Sequence, residues 1–238
     1  FGATTVEVDD PGYAHDLDAM AAAITPRTRE VFIANPNNPT GTLLNQDQID
    51  RFMEKVPDHV VVVFDEAYYE FLDNPPDVLK YVREGRNVVV LRTFSKIQGL
   101  ANLRIGYGLS NPELITVLQK TRQPFNANGI AQAGALAGIL DTDHQLKTRA
   151  ITTEGRSYLQ ETFQRLGLRY VPSFANFVLV EVGDGKATFQ ALMKRGVIIR
   201  DMNAYGLPSW IRVSVGTMEQ NRRFVEELVE HLGLQGRL

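Results

Sequence analysis

Lys96 has the most chemistry gathered around it of any residue in this chain. It lies in Val90–Gly106 (VLRTFSKIQGLANLRIG), just past an apolar run, with Thr93 and Ser95 before it and Arg104 eight residues after. A lysine amine at a strand end can condense with an aldehyde to form an imine. Hydroxyls beside it can grip a phosphate on the same molecule, and an arginine adds a planar fork suited to that group. Two more strings supply what such a molecule would need. Asn35–Gly41 (NPNNPTG) brings an amide at Asn38, and Phe64–Tyr68 (FDEAY) brings a carboxylate at Asp65 and a phenol at Tyr68. An aldehyde and a phosphate on one pyridine ring describe pyridoxal 5'-phosphate (PLP), which proteins hold through a lysine imine with an acidic partner for the ring nitrogen.

Each residue type then has a task. Asp65 can pair with the protonated pyridine nitrogen, and a carboxylate that leaves water needs such a partner. Asn38 and Tyr68 can donate to the ring's phenolate oxygen. Lys96 forms the imine and, once substrate displaces it, can carry a proton, since burial and neighbouring positive charge lower an amine's pKa. Thr93, Ser95 and Arg104 can hold the phosphate. Taken singly, each has an ordinary explanation: Asn-Pro strings make turns, and Asp-Glu after a strand caps a helix. A lone Lys or Arg is commonly a solvated surface charge. Their co-occurrence in this order, each at a strand end, favours the cofactor.

Those strand ends belong to three short apolar runs, Val31–Ala34, Val60–Phe64 and Val88–Leu91. They are continuous rather than alternating, which predicts strands of a parallel sheet buried on both faces. Between them lie a helical pattern over Gln46–Val56, with Asn45 as N-cap, and a shorter one over Val78–Arg83 after Pro75 and Pro76. The alternation predicts an α/β sheet with right-handed crossovers. Parallel order brings the three strand ends to one edge, where ligands of open α/β sheets sit. Ile105–Leu109 is a further strand, and Pro112–Arg122 and Ile130–Leu140 are helices. From about Asp143 the pattern changes to a smaller α+β unit. It opens on a long helix, Gln145–Leu166, that bridges the two parts. Strand Asn176–Val182, helix Ala187–Lys194, strands Val197–Arg200 and Trp210–Val215, and helix Met218–Leu232 follow. The expected domains are 1–143, PLP-binding and incomplete at its N-terminus, and 144–238.

Bulk properties narrow the function class. The chain has 238 residues, 44% hydrophobic and 22% charged, and a formal net charge of −3. With no basic cluster, nothing electrostatic favours nucleic acid or an anionic membrane. Apolar runs such as Val60–Phe64 are far too short to span a bilayer. The absence of cysteine removes disulfides, thiolate metal sites and a thiol nucleophile, in keeping with a cytoplasmic protein. His15, His59, His144 and His231 are scattered without metal-ligand spacing, so no metal site is expected. Nucleotide-binding glycine motifs and Gly-x-Ser-x-Gly are absent. Phe1–Asp10 (FGATTVEVDD) has neither an initiator Met nor the features of a signal peptide and reads like the inside of a domain, which suggests that an N-terminal portion precedes it.

The strings NPNNPTGT, FDEAYYEF, RTFSKIQGLANLRIGYG, PFNAN, SFANFVLVEV, GVIIRD and IRVSVGT together resemble the fold-type I PLP-dependent aminotransferases of class I/II. Within them they are most like the branch that acts on histidinol phosphate. The resemblance covers nearly the whole chain and implies a three-layer α/β/α large domain of mostly parallel sheet with a small α+β domain. It implies Lys96 as the imine lysine, Asp65 as the pyridinium partner, Asn38 and Tyr68 as phenolate-oxygen donors, and Thr93, Ser95 and Arg104 as phosphate ligands. Arg212, opening IRVSVGT, would bind the substrate's anionic group. Arg200, closing GVIIR, would be a second anion ligand unless it pairs with Asp201, and Asn176 would contact substrate or position the site. A homodimer with its sites at the interface is also implied. Gln98 and Asn102 stand where many relatives have an aromatic residue and a glycine. Relatives also carry, ahead of the region matching Phe1, an arm, a glycine loop for the phosphate and a ring-stacking aromatic. The implied activity is transfer of the amino group of histidinol phosphate to 2-oxoglutarate in histidine biosynthesis. Rival expectations are an aromatic amino-acid aminotransferase, a phospho-amino-acid decarboxylase of the same fold, and the effector domain of a transcriptional regulator.

Overall fold

Valine-rich segments set between helix-forming stretches shape the first part of the chain. The computed structural model describes residues 2–237. They form two compact units, one running up to Asn37 and taking in Leu43–Thr142, the other made of Asn38–Thr42 and the residues from Asp143 onward.

In the first unit, β1 (Glu30–Ala34), β2 (Val61–Asp65) and β3 (Val88–Thr93) run parallel in that order, and β4 (Gly106–Ser110) adds antiparallel to β3. Helix α1 (Leu17–Ala22) precedes the sheet, and α2 (Gln46–Lys55) and α3 (Leu79–Arg83) make the crossovers. Helix α2 starts where the sequence predicts: Asn45 accepts from the Gln48 N–H while the Gln48 side chain accepts from the Asn45 N–H. Such a reciprocal cap satisfies two otherwise orphaned donors. The helix buries Ile49, Phe52 and Met53 against Ile33, Val62, Phe64, Val88 and Val90. Truncating Phe52 to alanine there would cost about 3–5 kcal/mol. Helices α4 (Pro112–Thr121) and α5 (Gly129–Leu140) follow, each capped by an asparagine side chain.

The expectation that these strands are buried on both faces needs correction. Phe32 on β1 is 64% exposed and Leu91 on β3 is 39% exposed. Side chains alternate across a sheet, and α1–α3 contribute their apolar residues to the face of Ile33, Phe64 and Val90. Val63 and Val89 on the other face are nevertheless buried.

The second unit is an antiparallel sheet in the order β5 (Tyr170–Val171), β6 (Phe177–Glu181), β8 (Trp210–Ser214), β7 (Arg200–Asp201). Helices α6 (Thr142–Leu166), α7 (Gly185–Lys194) and α8 (Met218–Leu232) bury Leu159, Phe163, Leu192, Phe224 and Leu228 against Val178, Val180, Ile211 and Val213. Phe163 and Phe224 meet edge-on with centroids 6.3 Å apart. The strand expected over Val197–Arg200 is displaced, and pairing begins only at Arg200. The Gly196 and Val197 amides instead turn back to the Met193 and Leu192 carbonyls, with Gly196 at φ +81°. That is a glycine helix stop, which uses up the backbone a strand would need. Among the described residues no helix is long and apolar enough to cross a membrane.

Candidate active site

Strands β2 and β3 bring their ends side by side, with Asp65 registered on Leu91 and Thr93 as the last residue of β3. Asp65 and Thr93 therefore lie in the strands rather than just after them. Asp65 is exposed, and its Oδ1 accepts from the Ala67 N–H at 3.0 Å, which fixes the carboxylate in a turn. Three residues on, Tyr68 is 5% exposed, and the Lys96 Nζ stands 5.2 Å from its ring centroid. Lys96 is thus held over a buried aromatic ring rather than projecting freely into water.

The candidate phosphate ligands also converge. Thr93 Oγ1 accepts from the Ser95 N–H at 3.1 Å, and Arg104 Nη1 reaches Ser95 Oγ at 3.4 Å and the Ala101 carbonyl at 3.0 Å. Arg104 itself is left-handed at φ 52°. A non-glycine residue there is strained and persists only where its surroundings over-determine it. An open cleft of about 440 Å³ is lined by Thr93, Ser95, Arg104 and Tyr107 among others. Two hydroxyls and a guanidinium around such a cleft suit a phosphate, and the residues present fit the cofactor that the sequence suggests.

In the second unit, Arg212 on β8 donates through Nη1 to Asn38 Oδ1, and its guanidinium carbon lies 4.8 Å from the Phe177 ring centroid. An amide whose oxygen is taken in this way has its NH₂ left as donor. Arg200 is registered directly across from Arg212 on the paired strand, which places the two side chains on one face. Like charges so placed repel unless an anion lies between them. Among the described residues Arg200 and Asp201 form no ion pair at contact distance, although Arg200 is near enough to add to the pull that holds the Asp201 carboxyl below its ordinary range, after the hydrogen bonds from Asn203. Asp201 Oδ1 accepts from the Asn203 backbone and side chain. Asn176 precedes β6, and its carbonyl accepts from the Val215 N–H at 2.9 Å.

The loop that carries Asn38 shows which parts of NPNNPTG are structural. Buried Asn35 exchanges hydrogen bonds with the Leu44 backbone, 3.2 Å as donor and 2.8 Å as acceptor. Gly41 has φ +81°, and a Cβ there would lie 2.2 Å from Ser173 Oγ, so only glycine fits. Both X-Pro bonds, Asn35–Pro36 and Asn38–Pro39, are cis.

Sequence reasoning gave no role to Glu66 or Arg92. Arg92 Nε donates to Glu66 Oε2 at 2.8 Å, with the two side chains 13% and 4% exposed, and the guanidinium carbon lies 3.6 Å from the Tyr69 ring centroid. Burial pushes the Glu66 carboxyl up to about 7, against the downward pull of Arg92. An arginine inside an apolar strand was the available signal.

The match to known proteins is direct. Residues 2–228 match the family "Aminotransferase class I and II", and the chain belongs to that family. Its fold is that of the fold-type I PLP-dependent enzymes. More particularly, the chain is 54% identical to the histidinol-phosphate aminotransferase of Akkermansia muciniphila over 98% of its own length and 64% of the relative's. It is 48% identical to that of Moorella thermoacetica, over 97% and 61% respectively. The crystal structure of histidinol-phosphate aminotransferase from Sinorhizobium meliloti in complex with pyridoxal-5'-phosphate superimposes with a TM-score of 0.81 at 30% identity, covering 92% of this chain and 61% of that one. The chain thus spans about three fifths of the length of these relatives.

Proposed function

We propose that the protein is a PLP-dependent aminotransferase that moves the amino group of histidinol phosphate to 2-oxoglutarate. The observation that carries the cofactor reading is the meeting of strand ends in the first unit, where Lys96 lies 5.2 Å from the Tyr68 ring beside Thr93, Ser95 and Arg104. When bound, PLP supplies an electron sink for a carbanion at the substrate's α-carbon.

The chain's own residues do the rest. Lys96 would hold the cofactor through its amine and would move a proton at the substrate's α-carbon. Asp65 keeps the ring nitrogen protonated, and a neutral side chain could not. Tyr68 and the Asn38 amide donate to the ring's phenolate oxygen. Thr93, Ser95 and Arg104 hold the phosphate. Arg212 and Arg200 would hold the anionic end of the substrate, with Asn176, just before β6, as a further contact. The two arginines registered across β7 and β8 favour a phosphorylated donor, because a dianion offsets their mutual repulsion better than one carboxylate does. The relatives' name supports the same substrate. In this reading, 1–143 is the PLP-binding domain and 144–238 the small domain of a cytoplasmic homodimer.

The test is a panel of donors on the intact protein, with 2-oxoglutarate as acceptor: histidinol phosphate, phenylalanine and a phospho-amino acid. Histidinol phosphate should be preferred with glutamate as product. The phospho-amino-acid arm matters because L-threonine-O-3-phosphate decarboxylase of Porphyromonas gingivalis shares the fold at a TM-score of 0.77. Carbon dioxide release, or a preference for phenylalanine, would overturn the substrate reading and leave the cofactor reading standing.

A further inference from the structure

We propose that the buried Glu66–Arg92 pair is a positioning clamp that sets the two cofactor-bearing strand ends against each other. The proposal rests on the cofactor reading above.

Glu66 directly follows Asp65, and Arg92 directly precedes Thr93. Because side chains alternate along a strand, the residue on each side of such a step faces the opposite way. Glu66 is 3% exposed while Asp65 is exposed, as that alternation requires. The pair therefore lies on the back of the same two strand ends whose front carries Asp65 and Thr93. Its grip is threefold. The Glu66 N–H donates to the Leu91 carbonyl at 2.8 Å, continuing the β2–β3 ladder one step beyond Asp65. Arg92 Nε closes on the Glu66 carboxylate at 2.8 Å. The guanidinium carbon then lies over the ring of Tyr69, the neighbour of Tyr68, 3.6 Å from its centroid. Tyr107, registered across from Arg92 on β4, interacts with it from the other side. One side chain thus ties together the segment bearing Asp65 and Tyr68 and the strand leading into Ser95 and Lys96.

Stability alone does not account for this arrangement. A buried ion pair is often no better for stability than apolar residues of the same volume, and burial holds the Glu66 carboxyl well above its ordinary range. What the pair does offer is fixed geometry: a planar fork with an obligatory direction, and a ring face over which the guanidinium is held. A lysine would keep the charge and lose both.

The experiment uses the intact protein loaded with PLP, comparing wild type, Arg92→Lys, Arg92→Met and Tyr69→Leu. Three readouts are taken: thermal melting, the pH midpoint of the cofactor's visible absorption band, and kcat against KM. Arg92→Lys and Arg92→Met should move the band's midpoint by half a pH unit or more. They should also lower kcat about tenfold while KM stays within about twofold. Tyr69→Leu, which leaves the ion pair in place, should shift the midpoint in the same direction by less. If melting falls but the band and kcat stay at wild-type values, the pair is only structural and the proposal is overturned. If the Arg92 variants do not fold, Tyr69→Leu decides, and an unmoved midpoint there overturns it. The cofactor reading is checked separately, by loss of the wild-type band in Lys96→Ala.

Discussion

Replacing Glu66 with glutamine should change how stability depends on pH, in a direction set by the burial of this carboxyl. In the folded protein its pKa is pushed up to about 7, against 4.5 for the ordinary group. Between those two values the folded state keeps a proton that the unfolded chain has lost. Wherever the folded state binds more protons, stability falls as pH rises. The contribution of Glu66 is therefore most favourable below about pH 4.5 and declines up to about pH 7. It stays at its lower level above that. Two and a half pKa units at 1.36 kcal/mol each give roughly 3 kcal/mol for the whole window. Glutamine keeps the shape and an acceptor for Arg92 Nε but does not titrate. Urea unfolding of wild type and Glu66→Gln, followed by circular dichroism between pH 4.5 and 8.5, measures the difference. The variant should gain on wild type by up to about 3 kcal/mol as pH rises through the window, then track it in parallel. A difference independent of pH, or one in which wild type gains instead, would refute the reasoning and mean that Arg92 compensates the buried carboxylate fully.

Three further expectations concern single side chains. Asp65→Asn should retain PLP, read by its absorbance after gel filtration, while turnover falls at least about a hundredfold, as for the loss of other preorganised electrostatic stabilisers; near-wild-type turnover would leave Asp65 as a turn residue only. Arg200→Ala should raise the KM for histidinol phosphate about tenfold or more with little effect on glutamate, because a charge-assisted contact is worth roughly 1.5–3 kcal/mol; equal effects on both substrates would remove Arg200 from the phosphate. Among the described residues Gln98 Oε1 is buried without a hydrogen-bond partner, so Gln98→Met should raise stability by about 1 kcal/mol in chemical denaturation, through removal of an unsatisfied acceptor; a loss of stability would show that water satisfies that oxygen.

Most of the architecture was legible because periodicity and punctuation agreed. Helix α8 runs from Met218 to Leu232 as its pattern predicts, between a Thr217–Gln220 capping box and the left-handed Gly233. The three parallel strands announced themselves as short continuous apolar runs, and the candidate functional groups by their place at strand ends. Other features depended on neighbours that local pattern does not encode. Strand β5 has two residues and no periodicity to read. The segment after Lys194 looked like a strand by composition, but the glycine stop at Gly196 claimed its first amides. Phe32 reads as core in an apolar run, and only the placement of α1–α3 shows that it lies on the other face. At the site, Lys96, Asp65 and Tyr68 were visible as a constellation. The Glu66–Arg92 pair was not, because its meaning lies in the pairing of β2 with β3. The registration of Arg200 on Arg212 likewise emerges only from the β7–β8 ladder.

Lys96 is the proposed point of attachment for PLP. Borohydride reduction converts an imine into a stable secondary amine, so treating the intact, PLP-loaded protein and mapping its peptides by mass spectrometry locates the attachment. A phosphopyridoxyl group is expected on the peptide containing Ser95-Lys96 and on no other. Modification of a different lysine, or none at all in a protein that binds PLP, would contradict it.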